Sequence, residues 1–190
     1  MAVTRRLFIA SENFGSERPV KEWEVFDLIA GPHVDHVGNP QSLKRFEDNT
    51  FEEIYASHVL EHISYRKPLM DCLKEWRRVL KPGGVLHVAV PDMWALCQLF
   101  LRDDLSDEER LFVMRLLFGG QVTSADVHLV GLWERMLEIY LAAAGFVDIE
   151  RLEHMPYGLK DASAFEFKGV LTSLNMRAKK ADQDASKTNS

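Results

Sequence analysis

Residues 51–92 read FEEIYASHVLEHISYRKPLMDCLKEWRRVLKPGGVLHVAVPD. The stretch opens on a β-type run, FEEIYASHVL, over 51–60. A helix follows over 67–80, where Leu69, Leu73, Trp76 and Leu80 recur at helical spacing and Pro68 suits the first turn. Lys81-Pro82-Gly83-Gly84 is a helix terminator. VLHVAVPD, 85–92, is an apolar, β-rich run and reads as the next strand.

The same alternation extends in both directions. RLFIAS (6–11) reads as a buried strand, and EWEVFDLI (22–29) as a second one ending near Asp27 before the Gly31-Pro32 turn. VDHVGN (34–39) is a short third strand, and QSLKRF (41–46) is one or two helical turns. After Asp92, a residue suited to cap a helix, MWALCQLFLR and DEERLFVMRLLF both carry helical periodicity. Gly119-Gly120 opens the loop QVTSADVHLVG, and LWERMLEIYLAAAGF (132–146) is a further helix with a glycine stop. VDIERLEH and FEFKGVLTSLNMRAKK read as two strands with no helix between them, hence antiparallel neighbours. Strands alternating with helices predict an α/β fold with a mostly parallel sheet. The folded domain is expected over 1–178, with 179–190 as a polar, disordered tail.

The chain has 190 residues, enough for one domain, and 46% of them are apolar. Its net charge of −6 argues against a nucleic-acid binder that works by neutralising phosphates. The basic cluster KEWRR at 74–78 reads as a solvated helix face. Cys72 and Cys97 sit in apolar segments without metal-type spacing and read as buried free thiols. No signal peptide and no run of about eighteen apolar residues is visible, which predicts a cytoplasmic protein without a membrane span.

Within the opening stretch stands His58-x-x-Glu61-His62, the H-x-x-E-H spacing of inverted zinc peptidases. That chemistry needs both histidines on one face of a stable helix, together with a third ligand. Here His58 directly follows a β-type run, and Arg66-Lys67-Pro68 begins a helix of its own. His87 and His128 are candidate third ligands, and nothing in the sequence fixes either. The reading therefore assigns no metal, and takes Glu61 and His62 as polar loop residues bonded to backbone.

As a whole, FEEIYASHVLEHI, the helix, and LKEWRRVLKPGGVLHVAVPD resemble the class I S-adenosylmethionine-dependent methyltransferases. The likeness is to small bacterial-type members whose fourth strand ends in "shvLEHi", followed by "rvLkPGG" and "vPD". GGQVTSADVHLVGLWERMLEIYLAAAGF resembles the same group. The resemblance implies a Rossmann-like seven-stranded sheet with the last strand inserted antiparallel and helices on both faces. It implies S-adenosylmethionine at the carboxyl ends of the first four strands, with S-adenosylhomocysteine as product. Asp27 then matches the acidic residue that accepts the ribose hydroxyls, Asn39 falls near the adenine amino group, and Ser57 and His58 fall beside the methionine part. The family's glycine-rich turn maps onto Ala10-Ser11-Glu12-Asn13-Phe14-Gly15, where only Gly15 is kept. Ala10, Ser11, Glu12 and Gly15 would line the methionine end. Glu12 either opposes the ligand carboxylate there or binds its amino group.

Two functions follow from the resemblance. One is a methyltransferase with a modified cofactor loop, acting on a small-molecule, sugar or lipid acceptor. The other is a non-catalytic protein of the same fold that serves as a binding or regulatory partner. For the enzyme, His128 is the first candidate for a general base and Asp92 the second. The apolar helices of 93–118 would cover the acceptor and could form a homodimer contact.

Overall fold

The computed structural model describes residues 4–10, 22–158 and 161–182. Its central sheet has the order β3-β2-β1-β4-β5-β9-β6. The strands are β1 (Arg6–Ala10), β2 (Glu24–Asp27), β3 (His36–Val37), β4 (Phe51–Ser57), β5 (Leu80–Pro91), β6 (Phe146–Leu152) and β9 (Ser173–Lys180). All pairings from β3 across to β5 are parallel, and β9 runs antiparallel to both β5 and β6. This is the seven-stranded sheet with an inserted antiparallel last strand that the resemblance implied. The helices are α1 (Lys67–Val79), α2 (Met93–Phe100), α3 (Asp107–Phe118) and α4 (Glu134–Ala143). Among the described residues, no helix is long and apolar enough to cross a membrane.

Strand side chains alternate between two faces. Leu7, Ile9, Ile54, Ala56, Val88 and Met176 point to one side. There they meet the buried stripes of α1 (Leu69, Leu73, Trp76) and α4 (Leu137, Leu141). Trp76 is fully buried and still satisfies its indole N–H, which donates to Pro40 O at 2.8 Å. The other side carries Phe8, Ala10, Val25, Tyr55 and Ala89. Among the described residues its cover is irregular chain: Trp23 before β2, and Met155 and Tyr157 after β6. The β1–β2 connection lies mostly at 11–21, outside the described residues.

Several boundaries differ from the sequence reading. QSLKRF forms turns and no helix, because Arg78 takes the carbonyls of Leu43 (3.2 Å) and Phe46 (3.0 Å). Helix α1 ends at Val79, and Lys81-Pro82-Gly83-Gly84 already belongs to β5. A Cβ at Gly84 would stand 2.8 Å from Lys81 O, so the backbone passes there only without a side chain. FEFKGVL does not extend as one strand. It folds into the hairpin β7 (Glu166–Phe167) and β8 (Val170–Leu171), turning at Lys168 and Gly169, both at positive φ. Strand β9 continues past the expected boundary at 178. Lys180 is buried and its ammonium donates to Leu80 O and Asn49 Oδ1, both at 2.8 Å. Of the expected tail, residues 183–190 lie outside the described residues.

Candidate functional site

Two adjoining cavities open at the carboxyl ends of the parallel strands, where open α/β sheets bind ligands. They share Ile29, His62 and Ala125 in their walls. The first, of about 210 Å³, is lined by Ala10 at the end of β1, Asp27 at the end of β2, and then Leu28, Ile29, Asn39 and Ile63. Asp27 is nearly buried, and its Oδ1 accepts the Ile29 N–H at 2.8 Å. Burial pushes the Asp27 carboxyl above its ordinary value, and the backbone hydrogen bonds oppose that shift. Leu28 and Ile29 beside it are each about half exposed. Asn39 Oδ1 accepts the Gln41 N–H at 2.9 Å.

The second cavity, of about 410 Å³, is lined by His58, Glu61, His62, Arg115, Asp126 and His128 among others. Its local construction can be followed residue by residue. Strand β4 ends at Ser57, and His58 then takes a left-handed backbone, φ 52°, while its N–H donates to Ala89 O. A 3-10 turn, Leu60–His62, buries Glu61 and turns His62 toward the cavity. Helix α3 stops at Gly119, φ 81°, where a Cβ would lie 2.4 Å from Asp126 O. The loop curls back on Asp126, whose carboxylate receives the N–H groups of Gly120 (3.3 Å) and Val122 (3.4 Å). His128 N–H then donates to Phe118 O, and the N–H groups of Leu129 and Val130 donate to Glu61 O. Those bonds deliver His128 to Glu61 and His62.

The resulting cluster is compact. The rings of His62 and His128 meet edge to face with centroids 4.9 Å apart. His58 Nδ1 lies 3.1 Å from Glu61 Oε1. Burial drives the Glu61 carboxyl upward, but His58 and the neighbouring His62 outweigh it and hold the carboxyl below its ordinary value. Burial lowers His128, so its ring is neutral at pH 7.

The sequence candidates separate accordingly. Ala10, Asp27 and Asn39 line the first cavity; His58 and His128 line the second. Ser57 lines neither; its hydroxyl donates to Asp161 Oδ2 at 2.7 Å. Asp92, the second candidate base, lines neither cavity and is 2% exposed. Its Oδ1 caps α2 through the N–H groups of Trp94 and Ala95, and its Oδ2 accepts from Arg151 at 2.9 Å. Ser11, Glu12 and Gly15 lie outside the described residues. His87 stands beside Tyr157 and is pushed down to about 4, chiefly by burial. Glu61, His62 and Asp126 also line the second cavity; the sequence reading took the first two as polar loop residues and did not single out Asp126. The H-x-x-E-H spacing was the available signal for the first two.

Residues 20–88 match a family model described as a methyltransferase domain. No curated protein matches the chain. Solved structures with the same fold include the CurJ carbon methyltransferase (16% identity, TM-score 0.57, covering 94% of this chain and 49% of that one). They also include an S-adenosylmethionine-dependent methyltransferase from Thermotoga maritima (19%, 0.55, 95% and 83%). A third is the 1,6-didemethyltoxoflavin-N1-methyltransferase of Burkholderia thailandensis, solved with bound 1,6-didemethyltoxoflavin and S-adenosylhomocysteine (18%, 0.55, 94% and 72%). The chain spans about half the length of the CurJ protein. The match runs from before β2 into β5, the part of the sheet that carries Asp27, His58 and Glu61, and the solved structures share the fold of the whole described sheet.

Proposed function

We propose that the chain is an S-adenosylmethionine-dependent methyltransferase acting on a small-molecule, sugar or lipid acceptor. The observation that carries this reading is Asp27. It ends β2 inside one cavity, and that cavity opens into a second one lined by His58, Glu61, His62 and His128. The first cavity suits a nucleoside. One oxygen of Asp27 is held by Ile29 N–H, leaving Oδ2 to accept ribose hydroxyls. Leu28 and Ile29 leave apolar surface open beside it for a flat ring. Asn39 Oδ1 keeps a second lone pair for a donor such as an amino group.

The bound cofactor would supply an already activated methyl group, so the chain's own work is to position the acceptor and manage its proton. His128 fits the second task. Its Nδ1–H donates to Leu117 O at 3.2 Å, which leaves Nε2 as the free basic atom on a ring that burial keeps neutral. Arg115 adds a permanent positive charge to the cavity wall. The net charge of −6 favours a small acceptor over a nucleic acid. The apolar surface of α2 and α3, with Trp94, Leu101 and Phe118 exposed, is where a homodimer contact would lie.

Calorimetric titration with S-adenosylmethionine and S-adenosylhomocysteine tests the reading. Binding in the wild type that is lost in Asp27→Ala is expected. No binding to the wild type ends the enzyme reading and leaves the non-catalytic alternative. With an acceptor in hand, His128→Ala should lower turnover by roughly 10²–10⁴-fold while cofactor affinity holds; unchanged turnover removes His128 from the mechanism.

A further inference from the structure

We propose that Glu61, His62 and His128 form a binding site for a divalent transition-metal ion, open toward the larger cavity. One donor atom from each residue lies within 4.8 Å of the others. Hydrogen bonding fixes which atoms these can be. His62 Nδ1 faces Val127 O at 3.1 Å, and His128 Nδ1 faces Leu117 O at 3.2 Å. A carbonyl oxygen only accepts, so each Nδ1 carries the proton and each Nε2 carries a lone pair. An imidazole whose second nitrogen is tied to a carbonyl is oriented as metal-binding histidines are.

Glu61 supplies the charge. It is 1% exposed, and neither carboxylate oxygen accepts a well-directed hydrogen bond among the described residues. Its one close ion-pair partner there is His58, 3.1 Å from Oε1. His58 and His62 keep this buried carboxylate charged, and a buried negative charge offers a ligand to a cation. Two imidazole lone pairs converging on it add acceptors and no donor. A cation satisfies all three at once.

The donor set selects the class of ion. Two nitrogens and one carboxylate suit zinc, manganese, cobalt or iron, whereas calcium and magnesium favour oxygen throughout. Donors sharing an ion at roughly 2.1 Å stand roughly 3–4 Å apart, so closure needs only small side-chain rotations. Three protein ligands leave positions free, and the cavity of about 410 Å³ lies on that side. The arrangement is not that of the inverted zinc peptidases: His58 pairs with Glu61 instead of ligating beside His62, and the third ligand comes from the 119–128 loop.

What the ion would do rests on the methyltransferase reading; that it binds does not. An acceptor hydroxyl ligated at a free position is more acidic, and its proton leaves to water. His128 then serves as a ligand in place of a base, and oxygen acceptors become the favoured class.

The test uses the full chain, stripped with chelator and dialysed separately against zinc, manganese and cobalt ions. Metal content and the visible spectrum of the cobalt form are read. S-Adenosylhomocysteine binding is titrated on the same samples. One ion per chain is expected, with affinity reduced about a hundredfold or more in His62→Ala and His128→Ala. Glu61→Gln, nearly isosteric, guards against loss of fold and should alter the cobalt spectrum. His154→Ala, an exposed histidine outside the cluster, should change nothing. Absence of stoichiometric metal, or equal uptake by wild type and the cluster variants, overturns the site. Stoichiometric metal without cofactor binding keeps the site and removes its role in methyl transfer.

Discussion

The two faces of the sheet are built by different physics. On one, helices α1 and α4 lay apolar stripes against Leu7, Ile9, Ile54 and Val88, and little but hydrocarbon meets. On the other, irregular chain is pinned by polar side chains. The hydroxyls of Tyr55 and Ser57 both donate to Asp161. Tyr157 Oη lies 2.6 Å from His87 Nδ1 and 3.2 Å from Glu53 Oε2. Asn175, fully buried, donates to Ser163 O at 3.0 Å. The first face draws its stability from area removed from water and is nearly indifferent to pH. The second depends on hydrogen-bond partners and on protonation state, and should be sensitive to both.

The largest expected effect lies on the helical face. Trp76→Ala empties a fully buried site and leaves Pro40 O with the weak Cys72 thiol as its remaining side-chain donor among the described residues. It should cost about 3–5 kcal/mol in urea unfolding, with the same value at pH 7 and pH 5. A loss under about 1 kcal/mol would mean that this face is not the main store of stability.

The next effect belongs to the polar face and to acid. His87 is nearly buried and held at about 4, mostly by burial and secondly by Arg177. The unfolded chain takes up that proton near 6.5. The folded chain resists until about pH 4, so stability is full above about 6.5 and falls as pH drops through that window. The loss is about 3 kcal/mol. His87→Gln should flatten this slope relative to wild type, and parallel slopes would break the contrast between the faces. The smallest effect is at Asp161. Asp161→Ala should cost about 1–3 kcal/mol by leaving the Tyr55 and Ser57 hydroxyls unpaired, and Asp161→Asn should cost less. Equal melting temperatures for wild type and Asp161→Ala would show that the polar cover is loosely held.

The same contrast explains what the sequence made legible. Leu69, Leu73 and Trp76 announce α1 because a 3.6-residue period survives in the letters. Asp27 could be placed because the end of a strand in such a sheet is a fixed address. The polar cover has no period to read. EHMPYGLKDASAF repeats nothing, and Asp161 reaches partners more than a hundred positions away in Tyr55 and Ser57. Asp92 shows a different limit, for a helix-capping carboxylate and a general base are the same letter. His128 beside Glu61 required a loop closed by Gly119 and Asp126, and spacing alone could not choose between it and His87.

His62 stands in the wall of both cavities, together with Ile29 and Ala125. Ligands in the two cavities would therefore meet at the same three residues. Any coupling between them is reciprocal. If a ligand in the smaller cavity changes affinity in the larger by some factor, the reverse titration must return that factor unchanged. A substitution at His62 would alter this shared term as well as the two separate affinities.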